Sequence, residues 1–223
     1  MELINVVSCA CLVSACAMTQ AGILFGPTAE AEFAQLQLDL NEGFLDFESA
    51  PIGTNLLPGS DYFGVGARFA SIITTHGQPF GPEHVEVTGQ YNATYGHTIV
   101  GSPFQFGGDD GRVGYEVVFD SSQRRAGIRR ISGAALTRFY NANGDLLYEH
   151  LNTTGHEFVG WMADPGDQST WVARMVMDAV RDTSGVGQVG YSDDLYFGTI
   201  VPAPAGIIGL VFGFGSLSRA RRR

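Results

Sequence analysis

AALTRFYNANGDLLYEHL, residues 134–151, decides the fold class. Two runs, residues 134–140 and 146–151, flank Asn141-Ala142-Asn143-Gly144-Asp145. Asn-Gly accepts the positive φ that a tight connection between antiparallel strands demands. Outward from this hairpin, Val113, Tyr115, Val117 and Phe119 alternate with Gly114, Glu116 and Val118, the period of two of a half-buried strand. Residues 62–73, 158–162 and 188–198 continue the series, with a short candidate at 44–48. Residues 171–180 fit a helix or a strand; as a strand they put Trp171, Ala173, Met175, Met177 and Ala179 on one face. About eight to ten short strands parted by Gly, Asp and Asn turns predict an all-β chain, a β-sandwich or jelly roll. A short N-terminal helix precedes them. Ala29, Phe33, Leu36 and Leu40 recur at helical spacing over residues ~29–38, with Thr28 as cap and Glu30 and Glu32 in the first turn. Alternation of Leu36, Leu38 and Leu40 is the competing strand reading.

The 223 residues suffice for one domain with a sizeable core. Every basic residue is an arginine, 13 against 23 acids, for a net charge of −10. An acidic chain without lysine is unsuited to a phosphate backbone, so nucleic acid is not an expected partner. Cys9, Cys11 and Cys16 all lie near the amino terminus, so the remainder can form neither a disulfide nor a Cys-zinc site.

The two ends read differently from the middle. Residues 1–24 hold a short apolar run followed by Ala15-Cys16-Ala17 and Thr19-Gln20-Ala21, the pattern of a secretory signal peptide, though without a basic residue before the run. Val13-Ser14-Ala15-Cys16 also resembles a bacterial lipobox, which would make Cys16 a lipid anchor. At the other end, Val201-Pro202-Ala203-Pro204 is followed by an apolar stretch over 205–218 and by Arg219, Arg221, Arg222 and Arg223. As a helix those 14 apolar residues would reach ~21 Å, short for a bilayer of about 30 Å. Arginines on one side would keep the carboxyl end cytoplasmic and the folded part outside. Between residues 25 and 200 there remain 22 acids and nine arginines, a charge of −13.

The order Pro-x-Pro, brief apolar span, terminal arginine cluster resembles the PEP-CTERM sorting tail, with Ala203 where glutamate is usual. That resemblance implies an exosortase-type membrane protease as partner, transient membrane anchoring through the tail, and delivery to the cell surface or extracellular space. The expected organisation is a signal peptide over 1–24, a β-sandwich domain over 25–198 and a sorting tail with a short transmembrane helix over 199–223. The middle is similar to the β-sandwich passenger domains found ahead of such tails. The residues that carry this are Asp46-Phe47-Glu48 with Gly53-Thr54, Asn141 to Leu147, Phe158-Val159-Gly160-Trp161 and Asp193-Asp194-Leu195-Tyr196-Phe197.

Asp193-Asp194 is the leading chemical candidate. Alternation puts Asp193 on one strand face with Tyr191, Leu195 and Phe197, and Asp194 on the other. A carboxylate in an apolar environment needs a counter-charge, hydrogen bonds or a metal. The likeness to carbohydrate-binding jelly rolls implies a structural Ca²⁺ there, shared by Asp46, Glu48, Asp193 and Asp194; an arginine partner or a solvated strand end is the alternative. Trp161, beside the turn at 164–167, is the candidate surface aromatic for a sugar ring. Arg124-Arg125 and Arg129-Arg130 read as decoration of a hairpin or as partners of the many acids. No catalytic motif emerges, so the expected function is non-enzymatic: a binding or structural module of the cell surface or matrix associated with extracellular polysaccharide. A glycan-active hydrolase or lyase is the alternative, and would need two carboxylates converging on a deep cleft.

Overall fold

The computed structural model describes residues 21–40, 42–73, 84–89, 96–102, 113–132, 135–152, 156–164, 166–179 and 190–199. The leader up to Gln20 with Cys16, and the tail with Val201, Pro202, Ala203, Pro204, Arg219 and Arg221 to Arg223, lie outside them. Among the described residues no helix is long and apolar enough to cross a membrane. In chain order the elements are β1 (Gly22–Phe25), α1 (Gly26–Leu40), β2 (Phe44–Leu45), β3 (Asn55–Leu56), β4 (Ala67–Ile73), β5 (His84–Thr88) and β6 (Thr98–Ser102). After these come β7 (Val113–Gln123), β8 (Arg125–Ser132), β9 (Ala135–Tyr140), β10 (Leu146–Asn152), β11 (Glu157–Met162), β12 (Val172–Ala179) and β13 (Tyr191–Gly198). The described residues are all-β apart from α1 and one 3₁₀ turn, Gln168–Thr170.

Two antiparallel sheets result. One runs β1-β11-β8-β13-β6-β5-β3, with β2 also on β13; the other runs β10-β9-β12-β7-β4. A buried core takes residues from both, including Val85, Ile99, Ile128 and Leu195 from the first and Phe69, Val117, Phe139 and Met175 from the second. Alternation along β7 is realised as expected: Tyr115, Val117 and Phe119 are buried, whereas Val118 is exposed. The 134–151 hairpin forms as β9 and β10, with Gly144 at φ +85°.

On the other side of the larger sheet, α1 buries Ala29 and Phe33 against Phe158, Met162 and Tyr196. The Phe33 ring meets Phe158 and Tyr196 edge-on, at 5.1 and 6.4 Å. Gly127 and Gly160, opposite each other on β8 and β11, clear the space for these rings. A Cβ on Gly160 would stand 2.9 Å from both Phe158 and Phe33.

Several expectations shift. The helix starts at Gly26, with Pro27 in its first turn where a missing N–H costs nothing, so Glu30 falls past that turn and reaches Arg129 instead. β1 takes in residues 22–24, which the sequence assigned to the leader, and pairs them with β11. The expected strand at 62–73 begins only at Ala67. Ahead of it, Asp61 accepts hydrogen bonds from the Val65 and Gly66 amides and folds the chain into a turn. The 44–48 strand stops after Leu45 because Phe47 adopts φ +60° to put its ring in the core, against Phe63 and Phe69.

Gly160→Val is expected to lower stability by about 1–3 kcal/mol through overpacking. Chemical denaturation checks this, and an unchanged midpoint would mean that the aromatic ring pair has room to spare.

Candidate functional site

The Asp193-Asp194 pair sits at a bulge. Asp193 stands opposite Arg129 and Leu195 opposite Ile128, so Asp194 is the extra residue, with φ +45°. That insertion changes the phase of the strand. Ser192 stands opposite Arg130, while Leu195 and Phe197 beyond the bulge enter the inter-sheet core. Asp193 therefore does not share their face, contrary to the simple alternation; it lies with Arg129 towards α1.

The four carboxylates named for Ca²⁺ come within reach of one another's charge, and Glu30 joins them. Each has a partner already. Asp194 pairs with Arg129 Nη2 at 2.8 Å, and Glu30 with Arg129 Nε at 2.6 Å. Asp193 accepts the Asp194 amide at 2.8 Å, Asp46 the Glu48 amide at 3.1 Å, and Glu48 the His97 amide at 2.6 Å. Burial opposes the Arg129 charge, yet Asp194 and Glu30 outweigh it and raise its pKa. Among the described residues no three His, Cys, Asp or Glu side chains are disposed to hold a metal ion. The group fits a guanidinium better than it fits Ca²⁺.

Asp193 is 3% exposed. Burial, reinforced by the neighbouring Asp194 charge, pushes its pKa up to about 8. The folded protein thus keeps a proton that the unfolded chain releases near pH ~4.

The arginine pairs do not decorate a hairpin. Arg124 forms the corner where the chain leaves β7 for the other sheet, and the rest occupy β8, an interior strand. Arg125 and Arg130 are each 1% exposed. Arg125 pairs with Glu42 at 2.9 Å, and Arg130 donates to Ser192 Oγ at 2.7 Å.

Trp161 is not a surface residue. It is 6% exposed, packs near Phe139 and Tyr148, and donates its indole N–H to Thr170 O at 2.8 Å. Trp171, rather than Trp161, lines a cleft of about 520 Å³. The register shifts between Val172 and Arg174, so Val172 joins Met175 and Met177 in the core while Trp171 turns away from it. The Arg124 guanidinium lies 4.5 Å from the Trp171 ring centroid.

The cleft is built from four segments. Ser121 and Ser122 come from β7, Asn141 to Asn143 from the hairpin turn, Gln168 and Ser169 from the 3₁₀ turn, and Thr199 from the end of β13. Asn141 locks two walls together. Its Oδ1 accepts from the Asn143 and Asp145 amides, and its Nδ2 donates to Asp145 and to Ser169 O. The Asp167 carboxylate caps the 3₁₀ turn by accepting the Ser169 amide at 2.9 Å. Thr199 is held by Glu42, which accepts its amide at 2.8 Å. A second cleft of about 380 Å³ adjoins the first, sharing Ser121, Ser122, Asn141 and Ala142, and extends to Asp120 and Arg174. Arg174 covers the Tyr140 ring at 4.3 Å and pairs with Glu116 at 3.1 Å. Asp120 is held by Arg68 at 2.7 Å.

No protein-family model matches the chain, and no curated protein matches it in sequence.

For Asp193 the sign of the pH effect follows from the raised pKa. Stability falls as pH climbs from ~4 to ~8 and levels off above. Asp193→Asn keeps the acceptor for the Asp194 amide and discards the charge. Thermal melts should show variant and parent alike near pH ~4, with the variant the more stable above pH ~8.

Proposed function

We propose that this chain is an exported cell-surface or extracellular-matrix protein whose folded part, a β-sandwich of jelly-roll type, binds polysaccharide without cleaving it. One observation carries the binding reading: an open cleft in which Trp171 faces amides and hydroxyls from the 121–122, 141–143 and 168–169 segments. Sugars offer an apolar ring face and a rim of hydroxyls, which suits an indole beside groups able to donate and accept. Glycoside hydrolysis calls for two converging carboxylates. Among the described lining residues of the two clefts Asp120 is the one carboxylate, and Arg68 engages it. This favours a binding module over a hydrolase or lyase. The two antiparallel sheets with a shared core support the sandwich.

Export and sorting rest on the sequence of the ends. The small-residue leader directs secretion, an exosortase-type protease recognises Val201-Pro202-Ala203-Pro204, and the arginine-ended apolar segment anchors the chain until it is processed. Ca²⁺, with Asp46, Glu48, Asp193 and Asp194 as its ligands, would have to compete with Arg129 for Asp194. The melting temperature is expected to be the same in Ca²⁺ and in EDTA, and a rise in Ca²⁺ would assign the ion to that cluster.

Intact-mass measurement of the exported protein is expected to show Arg221, Arg222 and Arg223 removed; their retention would overturn the sorting reading. For binding, Trp171→Ala should weaken retention on immobilised polysaccharide by about tenfold or more, a loss near 1.4 kcal/mol. Equal retention of variant and parent would remove Trp171 from the site.

A further inference from the structure

The two adjoining clefts restrict which polysaccharide fits, an inference that rests on the glycan-binding reading above. The Trp171 cleft has no ionisable side chain among its described lining residues. The neighbouring cleft has two, Asp120 and Arg174, and each is neutralised by a partner, Arg68 at 2.7 Å and Glu116 at 3.1 Å. The Arg124 guanidinium, outside both linings, lies on the Trp171 ring. Among the described lining residues every ionisable side chain thus has an oppositely charged partner, and the chain's net charge of −10 repels an anionic polymer from a distance. A polycation would be drawn to the acidic surface but would find no unengaged carboxylate in the groove.

The polar groups offered are of one kind. Asn141 spends its amide on the walls, the Thr199 hydroxyl donates to Glu42 and Ser121 Oγ accepts from Gln123, which leaves Asn143, Gln168 and Ser122 as the side chains offered to a ligand. Side-chain amides and hydroxyls both donate and accept, as sugar hydroxyls do. The four residues common to both clefts make the recess longer than the Trp171 end alone. We infer that the groove takes an uncharged polysaccharide, with one sugar against Trp171 and the chain continuing past Ser122 and Ala142 towards Arg174.

Affinity electrophoresis of the full chain in mild detergent tests this, in gels carrying xyloglucan or mixed-linkage β-glucan, alginate or polygalacturonate, or chitosan. Retardation is expected in at least one neutral gel and should persist at high salt, because no charge pairing is lost to screening. It should resist competition by free glucose, and both Trp171→Ala and Asn143→Ala should weaken it by about tenfold. Asn143 is an exposed turn residue, so its variant keeps the test valid if Trp171→Ala misfolds. Salt-sensitive retardation by alginate, polygalacturonate or chitosan, with none by the neutral polymers, would overturn the uncharged-ligand inference and leave glycan binding intact. No retardation in any gel would overturn the glycan-binding reading itself.

Discussion

Three guanidinium groups on β8, two of them almost fully buried, draw partners from the surrounding elements, although Arg125 Nε and Nη1 and Arg130 Nε are left without one. A bare buried charge is far costlier than a paired one. Arg129 draws Glu30 from α1 and Asp194 from β13; Arg125 draws Glu42 from the segment after the helix; Arg130 takes Ser192 on β13. Tyr115, from the opposite sheet, adjoins Arg130, and burial pushes its hydroxyl pKa up to about 12. The helix, the interior strands and the second sheet are thereby tied to one strand by directional contacts, whereas the aromatic packing around Phe33 and Phe158 alone would specify position less sharply.

The bulge at Asp194 follows from that demand. Regular pairing along β13 would carry Asp193 into the core beside Leu195. One added residue in left-handed conformation keeps both carboxylates on the Arg129 side while Leu195 and Phe197 still fill the interior. Asp tolerates this conformation better than most residues. A register shift where β12 meets β7, at which one β12 residue spans four of β7, accompanies a change at the cleft: Val172 points inward and Trp171 lies at the rim. Trp161 meanwhile supports that rim from beneath through its bond to Thr170.

The hairpin, the β7 alternation and the all-β class were legible because period-two burial and Asn-Gly chemistry are local. β8 was not, since Arg-Ala-Gly-Ile-Arg-Arg reads as surface unless one knows that Glu42, Glu30 and Asp194 are waiting for it. The register shifts were equally hidden: Asp tolerates a left-handed turn without requiring one, and nothing in residues 119–122 of β7 announces the extra residues that face Ala173. For that reason the two tryptophans exchanged roles and Asp193 changed faces. The resemblance grouped Asp46 and Glu48 with Asp193 and Asp194, and their charges do act on one another, but nothing in the sequence pointed to Arg129, which pairs with Asp194 and Glu30. The cleft itself could not be read from the chain, because its walls come from four segments separated by up to tens of residues.

Thr199 closes one wall of the cleft and directly follows β13, which pairs with β8 on one side and with β2 and β6 on the other. Tension entering at residue 199 therefore runs along a strand whose hydrogen bonds lie across the pulling direction. Such rows yield together in shear, whereas β10, at the rim of its sheet, can be peeled bond by bond. A tether fixed at this end would load the molecule through an interior strand, beside the cleft wall that Thr199 forms.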